Sequence, residues 1–93
     1  MSKTKYGKFI SSTREKVHHS DRLSEERITR NYDECVVIES YFYYDRREIA
    51  HFHSYDDVLY FNSDYINNSR YSEVFSFLSQ MYNDSATSEY MNI

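Results

Sequence analysis

The sequence predicts an α+β fold, in which a small antiparallel sheet of three or four strands packs against a C-terminal amphipathic helix. Two patterns carry this prediction: runs of β-branched and aromatic residues between 34 and 61, and apolar residues at helical spacing between 71 and 82. The length of 93 residues corresponds to one domain. Within it we distinguish a basic, weakly structured N-terminal part (1–30), an acidic aromatic body (31–83) and a polar tail (84–93).

Three antiparallel strands are predicted in the body, at residues 34–44, 49–53 and 58–61, because these runs are rich in Val, Ile, Phe and Tyr. A three-residue turn at 45–47 would join the first two strands. Side chains alternate along a strand, so the face directed to the core then carries Val36, Ile38, Phe42, Ala50 and Phe52. The opposite face is too aromatic for an ordinary solvated surface, because it carries Val37, Glu39, Tyr41, Tyr43, Ile49, His51 and His53.

The helix is predicted from apolar residues that recur three or four positions apart, which places them on one face. They are Tyr71, Val74, Phe75, Leu78, Met81 and Tyr82. Ser69 is the predicted N-cap, and Glu73 near the first turn suits the positive end of the helix dipole.

The N-terminal part has few apolar residues, so its elements are predicted from local signals. Residues 6–10 are predicted as an edge strand. Residues 12–30 are predicted as one or two short helices, since Ser12 to Glu15 match a capping box and Glu26 with Arg30 has helical spacing.

The composition excludes several classes of protein. Gly7 is the only glycine and there is no proline, so neither a glycine-rich phosphate loop nor a dinucleotide fingerprint is possible. The single cysteine, Cys35, excludes an internal disulfide framework and favours a reducing compartment, the cytoplasm. The chain has no apolar run of the roughly 20 residues that cross a bilayer. We therefore expect a protein that is not an enzyme and holds no cofactor.

Four histidines are the residues best suited to bind a metal. His51 and His53 share a strand face, and His18 with His19 lies upstream, but their spacing matches no zinc signature. The alternative is that these rings are partly exposed, or pair with Asp56 or Asp57. No residue near Cys35 supplies a base, so we interpret it as a small hydrophobic residue within a strand.

Charge is divided by position along the chain. Residues 1–30 carry eight Lys and Arg against four Asp and Glu, whereas residues 31–93 carry three against eleven. Carboxylates two residues apart on a strand lie about 7 Å apart, close to two phosphate steps of about 3.4 Å along a DNA strand. We therefore predict that a basic partner binds the ordered carboxylates of the body: Asp33, Glu34, Glu39, Asp45, Glu48, Asp56, Asp57, Asp64 and Glu73. The alternative is an acidic surface that only keeps the protein soluble.

Two other functions stay open, and so does assembly. A nucleic-acid-binding regulator could use a basic aromatic N-terminal patch, made of Lys3, Lys5, Tyr6, Lys8, Phe9, Arg14 and Lys16. A small metal-dependent enzyme could use the histidines. The chain has eleven Tyr and six Phe, more than the predicted fold needs, so we predict a homodimer whose interface includes Tyr41, Tyr43 and His51.

In size, in its scarcity of glycine and proline, and in an acidic body rich in Tyr, Asn, Ser and Ile, the chain resembles the anti-restriction nuclease (Arn) family of T-even-type bacteriophages. The resemblance implies a DNA mimic that acts in the host cytoplasm. Its implied partner is a host DNA-binding protein, such as a restriction endonuclease of the McrBC type or the nucleoid protein H-NS, and it implies no direct contact with nucleic acid or membrane.

Overall fold

The computed structural model describes residues 4–91, which form one six-stranded mixed sheet with a helix packed on one face. The strands are β1 (Phe9–His18), β2 (Leu23–Tyr32), β3 (Val36–Tyr44), β4 (Arg47–His53), β5 (Val58–Asn62) and β6 (Ala86–Tyr90). The helices are α1 (Ser63–Ile66) and α2 (Ser72–Met81), with a 3-10 turn at Ser69–Tyr71 between them. Strand order follows chain order; β1 to β5 are antiparallel, and β6 runs parallel to β5.

The predicted fold class was wrong, because the described residues form six strands rather than three or four and are mostly β. The short helices expected in the N-terminal part are absent from its described residues, which form β1 and β2 instead. The helix at 72–81 does not end the chain, since β6 follows it within the segment expected to be a polar tail. A parallel partner for β5 requires a crossover connection, and α1 with α2 supplies it.

The hairpin of β1 and β2 is held largely by charge and backbone pairing, since β1 has no buried residue and β2 buries Leu23, Glu25 and Ile28. Its register places Glu15 opposite Arg27 and Lys16 opposite Glu26. Directly opposed unlike charges stabilise an antiparallel pair by roughly 0.2–1 kcal/mol. Strands of this kind lack the apolar alternation by which strands are recognised in a sequence.

The main core lies between α2 and the strands β3 to β5. Val74, Phe75 and Leu78 of α2 are buried, as the helical periodicity predicted. The helix begins two residues later than expected, with Tyr71 at its N-cap and no side-chain cap bond there. Asn68, not Ser69, caps the preceding 3-10 turn. The core consists of Leu23, Phe42, Ile49, Ala50, Leu59, Phe61, Tyr71, Val74, Phe75 and Leu78.

The turn between β3 and β4 is shorter than predicted and changes which side chains face the core. Asp45 and Arg46 form it, both with positive φ, of 50° and 69°. The pairing then shifts at Tyr43, so that Ile49 is fully buried in the main core instead of lying on the opposite face. A β-bulge of this kind carries one extra residue and reverses the alternation locally.

No helix among residues 4–91 is long and apolar enough to cross a membrane.

We predict that Arg46→Gly stabilises the protein. L-residues are disfavoured at positive φ by about 1–2 kcal/mol, and glycine is not, although it also makes the unfolded chain more flexible. The expected net gain is about 0.5–1 kcal/mol in the free energy of unfolding, measured by urea denaturation followed by circular dichroism. The matched control Arg47→Gly, at the first residue of β4, should destabilise. A loss of stability in Arg46→Gly would contradict the two-residue turn.

Candidate functional site

The sheet face that does not meet α2, here called the open face, has a small cluster of its own. Ile28 and Val37 are buried there but do not belong to the core under the helix. The strand registers place Glu39 beside Ile28, and Tyr41 beside His51. The open face therefore combines a small apolar patch with titratable side chains, which the alternation along β3 and β4 brings to the same side.

Glu39 is the centre of the polar part of the open face. Its side chain is 16% exposed and contacts the guanidinium of Arg30. The hydroxyl of Tyr41 donates to its Oε2 at 2.7 Å, and Nε2 of His51 and of His53 lie 3.5 and 4.0 Å from its oxygens. Burial acts to raise the pKa of this carboxyl, but the Tyr41 hydrogen bond and the charge of Arg30 outweigh burial and lower it. Burial and the neighbouring Glu39 raise the pKa of Tyr41 to about 12.

His51 lies between two tyrosine rings. Its ring is parallel to Tyr41 at 4.4 Å and nearly parallel to Tyr60 at 5.9 Å. Burial lowers the pKa of His51. Among residues 4–91, neither the buried Nε2 of His51 nor the buried Nδ1 of His53 has a hydrogen-bond partner. The ring is therefore held in its neutral form by its surroundings. Because Tyr41 and Tyr60 cover both faces of the imidazole, a nucleic-acid base cannot stack on it.

Two further predicted carboxylates have partners within the protein. Glu48 accepts a 2.6 Å hydrogen bond from the hydroxyl of Tyr90, whose pKa is raised by burial and by that bond. Asp45 lies 3.1 Å from Arg70 and 3.7 Å from Arg22. Arginine side chains therefore neutralise part of the charge of Asp45 and Glu39, whereas Glu48 is held by a neutral tyrosine hydroxyl.

Five exposed carboxylates lie at one end of the sheet, where the β2–β3 and β4–β5 connections and the start of β6 meet. We call this surface the acidic end; it comprises Asp33, Glu34, Asp56, Asp57 and Asp84, all exposed. Asp33 accepts a 2.8 Å hydrogen bond from the backbone N–H of Lys8. Asp57, at φ 55°, accepts a 2.6 Å bond from the hydroxyl of Ser85. The other two predicted carboxylates, Asp64 and Glu73, are exposed at the opposite end, on α1 and the first turn of α2.

The N-terminal segment packs against the acidic end. Tyr6 contacts Tyr32 at 5.1 Å and Tyr55 at 4.6 Å between ring centroids. The ammonium of Lys5 lies 5.0 Å from the ring centre of Tyr6 and 5.5 Å from that of Tyr55. A side chain at Gly7, which has φ 95°, would meet Asp33 Oδ1 at 2.1 Å, so this glycine is required for the close approach. Of the predicted basic patch, Lys3 lies outside the described residues.

Two other features offer little for chemistry. The thiol of Cys35 is half-buried and directed to the carbonyl of Tyr6 at 3.8 Å. Between residues 4 and 91 the structure has no group of three His, Cys, Asp or Glu residues arranged to hold a metal ion. The histidines of the open face therefore lie near Glu39 without forming such a group.

The buried Glu25 escaped the sequence analysis. It faces α2, its side chain is fully buried, and it lies 2.9 Å from Nε of Arg27 and 2.8 Å from Nε2 of His19. Burial acts to raise its pKa, but bonds from Arg27, Ser40 and His19 outweigh burial and lower it. His19 also lines a groove of about 230 Å³ beside Val74 and Phe77, which is smaller than the 300–1,000 Å³ typical of ligand pockets. A glutamate three residues before an isoleucine on a polar strand gives no sign of burial.

Comparisons of this chain with protein-family models, with curated proteins and with solved structures found no match.

We predict that His51 makes folding sensitive to mild acid. The pKa of His51 is lower in the folded protein than its value of about 6.5 in the unfolded chain. The unfolded state therefore binds more protons, and the free energy of unfolding falls as the pH drops from about 6.5 towards the pKa of the folded state. The groups facing it are Tyr41, Tyr60, Glu39 and His53. His51→Gln should therefore lose less free energy of unfolding between pH 7.5 and pH 5.5 than the wild type does, in paired urea titrations.

The control for this experiment is His18→Gln, which changes an exposed histidine on β1. It should leave the pH dependence of the wild type unchanged. Equal pH dependence of the His51→Gln variant and the wild type would contradict the buried, neutral imidazole.

Proposed function

We propose that this protein is a non-enzymatic binding protein that presents its acidic end to the DNA-binding surface of another protein, as a DNA mimic. The observation that supports this most is the gathering of Asp33, Glu34, Asp56, Asp57 and Asp84, all exposed, at one end of the sheet. Their partner would be a surface rich in Arg and Lys, which binds carboxylates by the same charge-assisted hydrogen bonds that it makes with phosphates.

Two of these carboxylates are held in place by hydrogen bonds. This supports recognition by the partner of their arrangement and not of net charge alone. The backbone around Asp57 is tied to β6, since Ala86 N–H donates to its carbonyl at 3.1 Å and Ser85 to its carboxylate at 2.6 Å. Asp33 is tied to the N-terminal segment through Lys8. Charges that are already in place need less ordering when they bind, which favours affinity.

The proposal assigns different roles to the nine carboxylates predicted from the sequence. Asp33, Glu34, Asp56 and Asp57 contact the partner. Glu39, Asp45 and Glu48 are only partly exposed and stabilise the fold through Arg30, Arg70 and Tyr90. Asp64 and Glu73 lie at the opposite end of the sheet and take no part in the contact. The dimer interface expected at Tyr41, Tyr43 and His51 stays a prediction.

The resemblance to the phage anti-restriction proteins suggests which partners to try first. They are a restriction endonuclease of the McrBC type and the nucleoid protein H-NS, encountered in the cytoplasm of the host cell. Both bind DNA, so both have a basic surface that such an acidic end can occupy.

Direct binding of nucleic acid is the second candidate, and one observation favours it. Arg14 and Lys16 are exposed and lie on the same face of β1. Against it, the aromatic part of the predicted patch is engaged, because Tyr6 packs between Tyr32 and Tyr55. Binding of single-stranded nucleic acid usually requires aromatic rings that are free to stack on bases.

The test removes the charge of the acidic end and keeps its shape, by combining Asp33→Asn, Glu34→Gln, Asp56→Asn and Asp57→Asn. Asparagine oxygen still accepts the bonds from Lys8 and Ser85. We expect binding to the purified endonuclease or to H-NS, measured by calorimetry, to weaken at least about tenfold. Wild-type binding should also weaken at least about tenfold between 50 and 200 mM salt and be displaced by duplex DNA.

The matched control removes the same number of charges elsewhere, by combining Asp21→Asn, Asp64→Asn, Glu73→Gln and Glu89→Gln. Its affinity should stay within about twofold of the wild type. If both variants lost the same affinity, binding would depend only on net charge, which would contradict recognition at the acidic end. A gel shift in which the wild type itself binds DNA or RNA would instead support the second candidate.

A further inference from the structure

The sheet ends in two edges of very different length. β6 has five residues, whereas β1 has ten, and seven of them in succession, from Ile10 to Lys16, are exposed. β1 is the first strand of the sheet order, so within residues 4–91 it pairs with β2 alone. Its outer side therefore offers a row of backbone donors and acceptors about 33 Å long, at about 3.3 Å per residue.

This edge has only part of the protection that exposed edges usually have. The pairing with β2 shifts between Phe9 and Ser11, which is a bulge at one end of the strand. Charged residues are confined to Arg14, Glu15 and Lys16 in the second half of the strand. The first half, from Phe9 to Thr13, is apolar or hydroxylated and carries no charge. Like charges that lie directly opposite each other destabilise a strand pair. This edge can therefore pair with a strand that places no like charge opposite Arg14, Glu15 or Lys16.

A second copy of the chain meets that condition in one particular register. Antiparallel pairing of identical edges requires a two-fold axis perpendicular to the sheet. The axis lies midway between one residue and the same residue of the second copy, and these two residues face each other. An axis at Arg14 or at Glu15 would oppose two like charges. An axis at Thr13 opposes Arg14 with Ser12, Glu15 with Ser11, Lys16 with Ile10 and Val17 with Phe9.

We infer that β1 pairs antiparallel with β1 of a second copy about Thr13, so that the two sheets become one continuous sheet. Nine residues of each strand, 9–17, take part. In this register uncharged residues oppose every charged one. The two acidic ends then lie at opposite ends of the dimer, because the paired strands run in opposite directions. This inference does not depend on the proposed function.

The first test measures the oligomeric state by sedimentation equilibrium from about 1 to 100 µM. The wild type should be a dimer in the upper part of that range. Thr13→Lys places two ammonium groups opposite each other at the axis, and it should raise the dimer dissociation constant at least tenfold. The matched control is Thr87→Lys, the same substitution at an exposed position of the other edge strand, β6, and it should leave the constant within about twofold.

The second test fixes the register by cross-linking. In a Cys35→Ser background, Thr13→Cys should form a disulfide-linked dimer under mild oxidation, since opposed residues of an antiparallel pair have the separation that a disulfide needs. Thr87→Cys should remain unlinked. Circular dichroism should match the wild type for each variant, because both threonines are exposed.

Either of two results would overturn the inference. One is a wild-type monomer at 100 µM. The other is a dimer that Thr13→Lys does not weaken and that Thr13→Cys does not link, which would assign assembly to another surface, such as the open face at Tyr41 and His51.

Discussion

One ten-residue helix has to cover a six-stranded sheet, and this shortage of apolar cover determines how the remaining side chains are used. α2 buries Val74, Phe75 and Leu78 against β3 to β5. Within residues 4–91 it leaves most of β1 and the open face without a second layer. A chain of this length buries little more than about 60% of its unfolded surface, so the uncovered parts must be stabilised by other interactions.

Buried carboxylates supply those interactions, one on each face of the sheet. Glu25 faces the helix and is bound by Arg27 and His19, while Glu39 is on the open face and is bound by Arg30 and Tyr41. Glu25 of β2 pairs with His19 in the connection after β1, and Glu39 of β3 pairs with Arg30 of β2. A buried carboxylate stabilises a fold only when its partners are in place, and removing one partner leaves an uncompensated charge that costs several kcal/mol. The hairpin is thus stabilised by these two glutamates together with the buried Leu23 and Ile28.

The parts of the fold that follow from the sequence are those that bury apolar residues in a regular pattern. The pairing of Phe42 with Ala50 and the helix at Val74 to Leu78 are of this kind. The sequence did not predict β1 and β2 because these strands are stabilised by opposed charges such as Glu15 and Arg27. The two residues are twelve positions apart, and each charged segment on its own resembles the exposed face of a helix. β6 was missed because a short polar strand is recognised only beside its parallel partner.

The candidate site could be predicted in composition but not in arrangement. Asp56 and Asp57 are exposed in a turn, as an acidic pair between two strands suggests, yet their grouping with Asp33 depends on which connections share an end of the sheet. Glu39 was expected on the surface, and its burial depends on Arg30, a residue that was predicted to be helical. Ile49 changed sides because a two-residue turn replaced the expected three-residue one.

The central claim is that the charge pair of Arg30 and Glu39 holds the open face together. A double-mutant cycle with Arg30→Gln, Glu39→Gln and the combined variant tests it most directly, with the free energy of unfolding measured for all four proteins at pH 7. We expect a coupling energy of about 1–2 kcal/mol, with the double variant less destabilised than the two single losses together. Additive losses, with a coupling energy near zero, would contradict the account.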